Sequence, residues 1–259
     1  MQKIGLKLWS RNIDFYYKEA KRLYSMGLFD YIELYVVPST TDTIKLWKDL
    51  NIPINLHAPH FDSGVNLAVK EKENYNIKIY GEVKAFYKEL KSEYIVFHSG
   101  IEGSVDETIR QLNIIKLENA LVENKPYLAP TEPDLRCRGA KVEEIQKIME
   151  ETGCGFCLDI SHAICSANSF KINPYEYLEK FNKLNPKCYH ISDNYIDNEI
   201  DKHLHFGKGT FDFDKIFALF SDNANIAIET NKNSKENLND FIEDSNFVKN
   251  KLQNLQLKK

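Results

Sequence analysis

Residues Tyr94–Lys125 contain one complete strand–helix–strand unit, with the sequence YIVFHSGIEGSVDETIRQLNIIKLENALVENK. Its two ends, YIVFHS and ALVENK, begin with short apolar runs of the kind found in buried strands. The segment between them, VDETIRQLNIIKL, places its apolar residues at helical spacing. Because a helix returns the chain to the same end of the sheet, the two strands are expected to be parallel neighbours.

The same unit recurs along the chain, which has eight strand candidates separated by amphipathic segments. The strands are KIGLKLW from Lys3, YIELYVV from Tyr31, IPINLHA from Ile52, YIVFHS from Tyr94, ALVENK from Ala120, GFCLDIS from Gly155, KCYHISD from Lys187 and NIAIET from Asn225. Eight such units closing on themselves predict an α/β fold, a single (β/α)8 TIM barrel spanning residues 1–259. A doubly wound open sheet is the alternative, but it usually has a glycine-rich loop after its first strand, where this chain has LWSRNID.

The segments between the strands predict six helices and a further helix in the polar tail. The six are FYYKEAKRLYSMG, IKIYGEVKAFYKELKS, VDETIRQLNIIKL, AKVEEIQKIMEETG, NPYEYLEKFNKLN and FDKIFALF. Gly27 and Gly153 are expected to end two of them, and the tail from Asn231 to Lys259 is expected to fray at its lysine-rich end.

Composition and charge exclude several classes of protein. The chain has 42% hydrophobic and 28% charged residues with a net charge of −4, so no global positive field attracts nucleic acid or an anionic membrane. No apolar run approaches the ~18 residues of a membrane span, and the first residues reach a charge too soon for a secretory signal. A cytoplasmic location is therefore expected. The five cysteines predict reduced thiols, and Cys154 and Cys157 are interpreted as small core residues rather than a redox or zinc motif.

Nine potential metal ligands fall at or just after the ends of the apolar runs. They are His57, His98, Glu123, Asp159, His162, His190, Asp201, His203 and Glu229. In a parallel barrel the strand ends meet at one face, so these side chains are expected to meet in its mouth. Any one of them alone is more simply explained as a hydrogen-bonded core histidine or a solvated acid. Nine in register predict one polynuclear metal site and an enzyme.

The spacing of the ligands and their chemistry refine this prediction. Asp159 and His162 can meet if the chain turns just after its strand, and Asp201 and His203 would project to one side of an extended segment. Imidazole and carboxylate ligands suit zinc, manganese, iron or cobalt, whereas no cysteine is placed for a structural zinc site. The expected cofactor is a divalent metal ion, zinc or manganese, with one to three ions per chain.

The ligand motifs resemble those of the xylose-isomerase-like TIM barrel superfamily, which contains sugar isomerases, epimerases and apurinic/apyrimidinic endonucleases of the endonuclease IV type. The matching motifs are LHAPH, VFHSG, VEN, LDISHA, YHISDN, DKHLHFGKG and AIET. In the endonuclease branch, the resemblance implies that residues at all nine positions hold three zinc ions that activate water and clamp a phosphodiester. In the epimerase branch, it implies that Glu123, Asp159, His190 and Glu229 hold one metal ion, with the two glutamates as acid and base.

Three departures from the endonuclease pattern favour the small-molecule branch. The first strand has GLKLWS, with Lys7 and Trp9, where the resemblance implies Gly-x-His-x-Ser. The second has YIELYVVPST in place of an Asn-Pro-Arg loop, and the loop after Glu123 is long and rich in proline and charge. The sequence shows no concentrated set of basic or wedge side chains of the kind that duplex DNA requires.

The leading hypothesis from the sequence is therefore a metal-dependent isomerase or epimerase of a sugar or sugar phosphate. It would act through a metal-stabilised enediolate, with Glu123 and Glu229 as the catalytic base and acid. If all nine residues bind metal ions, both glutamates are engaged, and a zinc-dependent phosphodiester hydrolase of the endonuclease IV type becomes the alternative. A second alternative is a non-catalytic barrel that binds metal or sugar.

Five further residues are candidates for substrate contacts, each with a simpler explanation. Glu33 lies in mid-strand, where a structural ion pair is nearly as plausible, and Lys125 can instead extend to solvent over Pro126. Arg136 and Arg138 are placed to bind a carboxylate or phosphate, although exposed loop arginines usually bind nothing specific. Trp9 offers an apolar wall to a sugar ring. The sequence leaves the oligomeric state open, although barrels of this kind often pair as homodimers.

Overall fold

The structure is a computed structural model that describes residues 2–256, and its eight strands close into a parallel barrel in chain order, β1 to β8. The strands are β1 Lys3–Trp9, β2 Tyr31–Tyr35, β3 Ile54–His57, β4 Ile95–His98, β5 Ala120–Glu123, β6 Gly155–Asp159, β7 Cys188–Ile191 and β8 Asn225–Ile228. Each coincides with or lies within a segment predicted from the sequence. The predicted single (β/α)8 barrel is confirmed.

Helices connect the strands on the outside of the barrel. They are α1 Ile13–Ser25, α2 Ile44–Asp49, α3 Glu73–Leu90, α4 Val105–Ile115, α5 Val142–Thr152, α6 Ile160–Ser169, α7 Pro174–Asn182, α8 Phe213–Phe217 and α9 Asn239–Gln256. The six predicted internal helices are present, and α2 and α6 were not predicted. The tail forms α9, whereas the expected frayed lysine-rich end falls on residues 257–259, outside the described part of the chain. Within residues 2–256, no helix is long and apolar enough to cross a membrane.

The inside of the barrel is filled by a small apolar layer. It consists of Tyr31, Tyr94, Val96, Leu121, Cys157 and Cys188, all buried. Gly5 lies opposite Tyr31, and a Cβ at Gly5 would stand 2.5 Å from the Tyr31 ring, so the glycine makes room for the tyrosine. Cys157 is thus a core residue, as interpreted from the sequence, and all five cysteines are free thiols.

This apolar layer explains why the polar side chains gather at one level. Side chains two residues apart on a strand point to the same side. One step beyond the layer, the inward positions are therefore occupied by His98, Glu123, Asp159 and His190. The strand register places His98 beside Glu123 and Asp159 beside His190. The candidate ligands thus line the carboxyl end of the barrel, where TIM barrel sites are found.

Candidate metal centre

The carboxylate of Glu123 is the centre of the site, because four imidazoles surround it. Its Oε2 lies 3.0 Å from His57 Nε2, 3.1 Å from His98 Nε2 and 3.4 Å from His190 Nδ1. Its Oε1 lies 2.9 Å from His162 Nδ1. Glu123 has only 1% of its surface exposed, so water cannot take the place of these neighbours.

The nine predicted ligands fall into groups whose donor atoms lie within 4.8 Å of one another. The groups among the nine are His57–His98–Glu123, Glu123–Asp159–His190, His162–Asp201–His203 and His57–His190–Glu229. Glu123 belongs to two of these groups and lies beside His162 of a third. The structure therefore brings together all nine residues, as the sequence predicted; metal binding by them stays a prediction.

The protonation pattern at His57 shows that these groups fit metal ions. His57 Nδ1 lies 2.9 Å from the carbonyl of Ala58, and since a carbonyl only accepts, Nδ1 carries the proton. Burial lowers the pKa of His57 and so favours the neutral ring, in which Nε2 has a free lone pair 3.0 Å from the carboxylate oxygen of Glu123. Two electron-pair donors this close repel each other unless a cation lies between them. A backbone carbonyl that fixes the other ring nitrogen is also usual for histidines that bind metal.

Several buried polar atoms in the site make no hydrogen bond of good geometry among the described residues, although carboxylate or imidazole atoms lie within about 3.5 Å of the His190 and Asp201 atoms. They are Nδ1 and Nε2 of His190, Oδ2 of Asp201 and Nδ1 of His203. A buried polar atom without a partner costs about 1–3 kcal/mol. A bound divalent cation would satisfy His190 and Asp201, so the donor set fits the predicted cofactor.

Local structure explains how Asp159 and His162 meet. Asp159 ends β6 and is the N-cap of α6, with its Oδ1 accepting the backbone N–H of His162 at 2.7 Å. An aspartate at this position stabilises the first helical turn. The turn that the sequence required is therefore the start of α6, and it leaves Asp159 Oδ2 at 3.6 Å from His162 Nδ1.

The prediction of an extended segment at Asp201 and His203 was wrong. His203 has a φ of 47°, in the left-handed region, and its backbone N–H donates to Asp201 Oδ1 at 3.1 Å. Ser161 fixes the same oxygen with a hydrogen bond of 2.7 Å. The two side chains still meet, because this tight turn brings His203 Nε2 to 3.1 Å from Asp201 Oδ2.

The loop that carries Asp201 and His203 depends on a buried carboxylate, Asp193. Its oxygens accept the backbone N–H groups of Asn194 at 2.8 Å, Gly207 at 2.9 Å and Gly209 at 2.8 Å. A Cβ at Gly209 would stand 2.2 Å from the Asn194 carbonyl, so only glycine allows this close approach. The loop is therefore folded around Asp193.

We expect Asp193→Ala to lower the free energy of unfolding by about 3 kcal/mol, since it leaves one buried and two partly buried N–H groups without their charged acceptor. Urea titration of the metal-free protein measures this loss. Asp197→Ala, at an exposed position of the same loop, is the control and should change stability by less than about 0.5 kcal/mol. Equal stability of the Asp193 and Asp197 variants would contradict the role given to Asp193.

Sequence reasoning missed Lys7 as a site residue. Its Nζ lies 2.5 Å from Glu229 Oε1 and 2.7 Å from Glu33 Oε1, and the Lys7 side chain is only 6% exposed. Glu33 Oε1 also lies 2.8 Å from His190 Nε2. The signal was present in GLKLW, because a lysine in mid-strand of an apolar run, at an inward position, must have buried partners.

His60 was missed as well. Its ring stacks on that of His98 with centroids 4.5 Å apart and an interplanar angle of 11°, and its side chain is 24% exposed. It lies three residues after His57 in the quoted motif LHAPH, which was the available signal. His60 therefore stands at the mouth of the site, next to a candidate ligand.

The five predicted substrate contacts lie in different environments. Lys125 is in the site, with its Nζ 3.3 Å from His98 Nε2 and 3.5 Å from Glu123 Oε1. Glu33 has 0% exposure and lies beside His190, and it forms an ion pair with Lys7, the kind of contact that was the simpler explanation. Trp9 is partly buried, and its ring centroid lies 6.4 Å from that of Tyr35, with the two rings tilted by 47°.

The two arginines bind their own surroundings instead of the ligand groups. The guanidinium of Arg136 donates to the Pro133 carbonyl at 2.8 Å and lies over the Tyr127 ring, and that of Arg138 donates to the Glu102 carbonyl at 2.9 Å. A role for them in substrate binding stays a prediction.

The electrostatics of the site separate its histidines into two kinds. Burial lowers the pKa of His57, and it lowers that of His98 well below the usual value, with Lys125 adding to the effect at His98. At His162, burial is outweighed by the carboxylates of Asp159 and Glu123, so the pKa is raised. Burial also opposes protonation of His190, but neighbouring groups, including Glu229 and Glu33, raise its pKa well above the usual value.

These directions predict a stepwise loss of metal ions as pH falls. A raised pKa means that a proton competes with the metal from a higher pH, so the groups containing His162 and His190 should empty first. The His57–His98–Glu123 group should hold its ion longest, leaving about one ion per chain at the lowest pH at which metal is still bound. Metal content after dialysis at a series of pH values measures this, and His98→Ala should abolish the last ion. Loss of all ions in a single step would contradict the assignment.

Comparison with known proteins shows which family model and which solved structures this chain matches. A family model described as xylose isomerase-like TIM barrel matches residues 20–251. No curated protein matches the chain. Among solved structures, a D-tagatose 3-epimerase-like protein is 20% identical with a TM-score of 0.73, covering 99% of each chain.

Two further solved structures have the same fold. Endonuclease IV from Thermus thermophilus is 17% identical with a TM-score of 0.70, covering 97% of this chain and 99% of its own. A protein named IOLI, solved with a bound zinc atom, is 15% identical with a TM-score of 0.64, covering 97% of this chain and 98% of its own. At these identities the likeness shows the fold alone.

Proposed function

The chain belongs to the xylose isomerase-like TIM barrel family, and within it we propose that the protein is a polynuclear divalent-metal-dependent hydrolase of phosphate esters. The observation that carries this proposal is the shared position of Glu123, between two ligand groups and beside a third. A single-metal reaction has no use for the His162–Asp201–His203 group. We therefore favour hydrolysis over the isomerisation that the sequence favoured.

Bound divalent ions would supply an activated water and neutralise the charge that develops on a phosphate. The residues of the chain supply the remaining functions. Glu123 holds neighbouring ligand groups in one fixed arrangement, and its burial excludes bulk water from the centre. We propose that Lys125, whose Nζ lies 3.3 Å from His98 Nε2, binds a phosphate oxygen through its ammonium group.

We propose a small phosphorylated sugar or sugar phosphodiester as the substrate, with DNA as the less favoured one. The net charge is −4, and Arg136 and Arg138, the arginines of the loop after β5, are bound to backbone carbonyls of their own surroundings. A duplex-binding surface requires several basic side chains free to contact phosphates.

The second candidate is the metal-dependent sugar isomerase or epimerase, and one observation favours it. His190 Nδ1 lies 3.4 Å from Glu123 and 3.0 Å from Glu229, so two carboxylates flank one position, as an acid and a base would. Two facts weigh against it. Burial would raise the pKa of Glu123, but His98, Lys125 and His190 hold it well below the usual value, which makes Glu123 a weak base. Glu229 is bound to Lys7.

Metal analysis and a panel of substrates test the two candidates together. We expect two or three ions per chain, and release of phosphate or alcohol from sugar phosphates, phosphodiesters such as bis(p-nitrophenyl) phosphate, or abasic-site DNA. One ion per chain, with exchange of solvent deuterium into a ketose and no hydrolysis, would overturn the hydrolase proposal and support the isomerase. Bound metal without turnover of any of these would support a non-catalytic barrel.

A further inference from the structure

We propose that Lys7 is a built-in cation that holds Glu229 and thereby limits how strongly this glutamate binds a metal ion. The inference rests on the proposed metal-dependent function, because it concerns the affinity of the site for its ions. Lys7 would be a positioning residue, since it touches a candidate ligand and none of the reacting atoms.

The contacts of Lys7 define its role. Its ammonium group bridges two carboxylates, at 2.5 Å from Glu229 and 2.7 Å from Glu33, and all three side chains are at most 12% exposed. A charged pair with so little exposure to water is held firmly, since separating it leaves buried charges uncompensated. The same Glu229 oxygen lies 3.0 Å from His190 Nδ1, and Glu229 is a member of the His57–His190–Glu229 group. Lys7 and a metal ion at that group would therefore compete for the Glu229 carboxylate.

The charges around the site determine how strongly this competition affects metal affinity. Five buried or nearly buried carboxylates lie here, those of Glu33, Glu123, Asp159, Asp201 and Glu229. Two ammonium groups, from Lys7 and Lys125, already compensate part of this charge. Each additional divalent ion must then bind against a fixed positive charge at Glu229. Glu229 is thus the weakest of the carboxylate ligands, although its residue type and position match the others.

Lys125 provides a matched comparison. Its ammonium group also touches candidate ligands, but at 3.3–3.5 Å, and it is not inserted between two carboxylates. A general effect of removing a positive charge should appear equally in Lys125→Met and Lys7→Met. A specific effect through Glu229 should be much larger in Lys7→Met than in Lys125→Met.

The experiment measures zinc affinity by competition with a chromophoric chelator for the wild type, Lys7→Met, Glu229→Gln, the double variant and Lys125→Met. We expect Lys7→Met to bind its weakest zinc ion about tenfold more tightly than the wild type, the size typical of coupling between contacting groups. In the Glu229→Gln background, the same change should alter the affinity less than about threefold. Lys125→Met removes a positive charge that does not contact Glu229, so it should alter the affinity for the weakest ion less than about threefold.

Unchanged or weaker zinc binding by Lys7→Met, or an equal gain in Lys125→Met or in the Glu229→Gln background, would overturn the inference. Thermal unfolding of Lys7→Met and of a second variant, Lys7→Gln, shows whether either variant has a folding defect. A variant that is unstable without zinc, but that zinc stabilises more than it stabilises the wild type, supports the inference. Failure of both Lys7 variants to fold even with zinc would overturn it in favour of a purely structural role. If the wild type itself binds no metal, the proposed function fails instead.

Discussion

Glu123→Gln is expected to remove at least two bound metal ions per chain and to lower the rate of hydrolysis by roughly a thousandfold or more. The carboxylate belongs to two ligand groups and its Oε1 lies 2.9 Å from His162 of a third. An amide keeps the shape of the carboxylate but loses its charge. Its NH2 group can also donate a hydrogen bond to the lone pair of His57 Nε2, which a metal ion would otherwise use. Metal ions contribute several kcal/mol to such reactions, and each 1.36 kcal/mol corresponds to a tenfold change in rate.

Metal content by plasma mass spectrometry and the single-turnover rate measure this prediction. Glu118→Gln is the matched control, because Glu118 is exposed just before β5, at the opposite end of the same strand. It should retain both metal and activity. A Glu123→Gln protein with the wild-type number of ions would show that Glu123 does not connect the groups, and would remove the main support for the hydrolase.

The fold was predictable because the local sequence of each strand is enough to recognise it. Runs such as YIVF and IAI are apolar without interruption, as strands buried on both faces must be, and such runs recur at helix-sized intervals. The two missed helices have clear reasons. Helix α2 is only six residues long, too short to show a period, and α6 is buried almost all round, so it has no polar face to reveal its periodicity.

The ligands on the strands were predictable for the same reason. A side chain two residues beyond the apolar layer must point to the same side of its strand, into the barrel. The contacts of Lys7 and Glu33 could not be predicted, because Lys7 lies on β1, Glu33 on β2, and their partners His190 and Glu229 lie on β7 and just after β8, far apart in the sequence. The φ of His203 was also beyond prediction, since it is set by hydrogen bonds to Asp201 and not by local propensity. Loop conformation is where sequence patterns carry least information.

Asp201→Asn is the change that separates the two proposed reactions. Its Oδ2 has no hydrogen-bond partner among the described residues and lies 3.1 Å from His203 Nε2 and 3.5 Å from His162 Nε2. If the protein is a polynuclear hydrolase, the variant should lose one ion per chain and about a hundredfold or more in rate. An isomerase that uses only Glu123, Asp159, His190 and Glu229 should retain its single ion and most of its activity.

The control for this prediction is Asp197→Asn, in the same loop but exposed to solvent. It keeps the change of charge while leaving the ligand group intact, so it should behave as the wild type. Asp201 also accepts hydrogen bonds from Ser161 and from the backbone of His203, and asparagine retains an oxygen that can do the same. A loss of metal in Asp201→Asn with an unchanged unfolding midpoint of the metal-free protein therefore reports on coordination and not on loop folding. Unchanged metal content and hydrolysis would exclude the His162–Asp201–His203 group from the chemistry, and with it the observation that distinguishes the hydrolase from the isomerase.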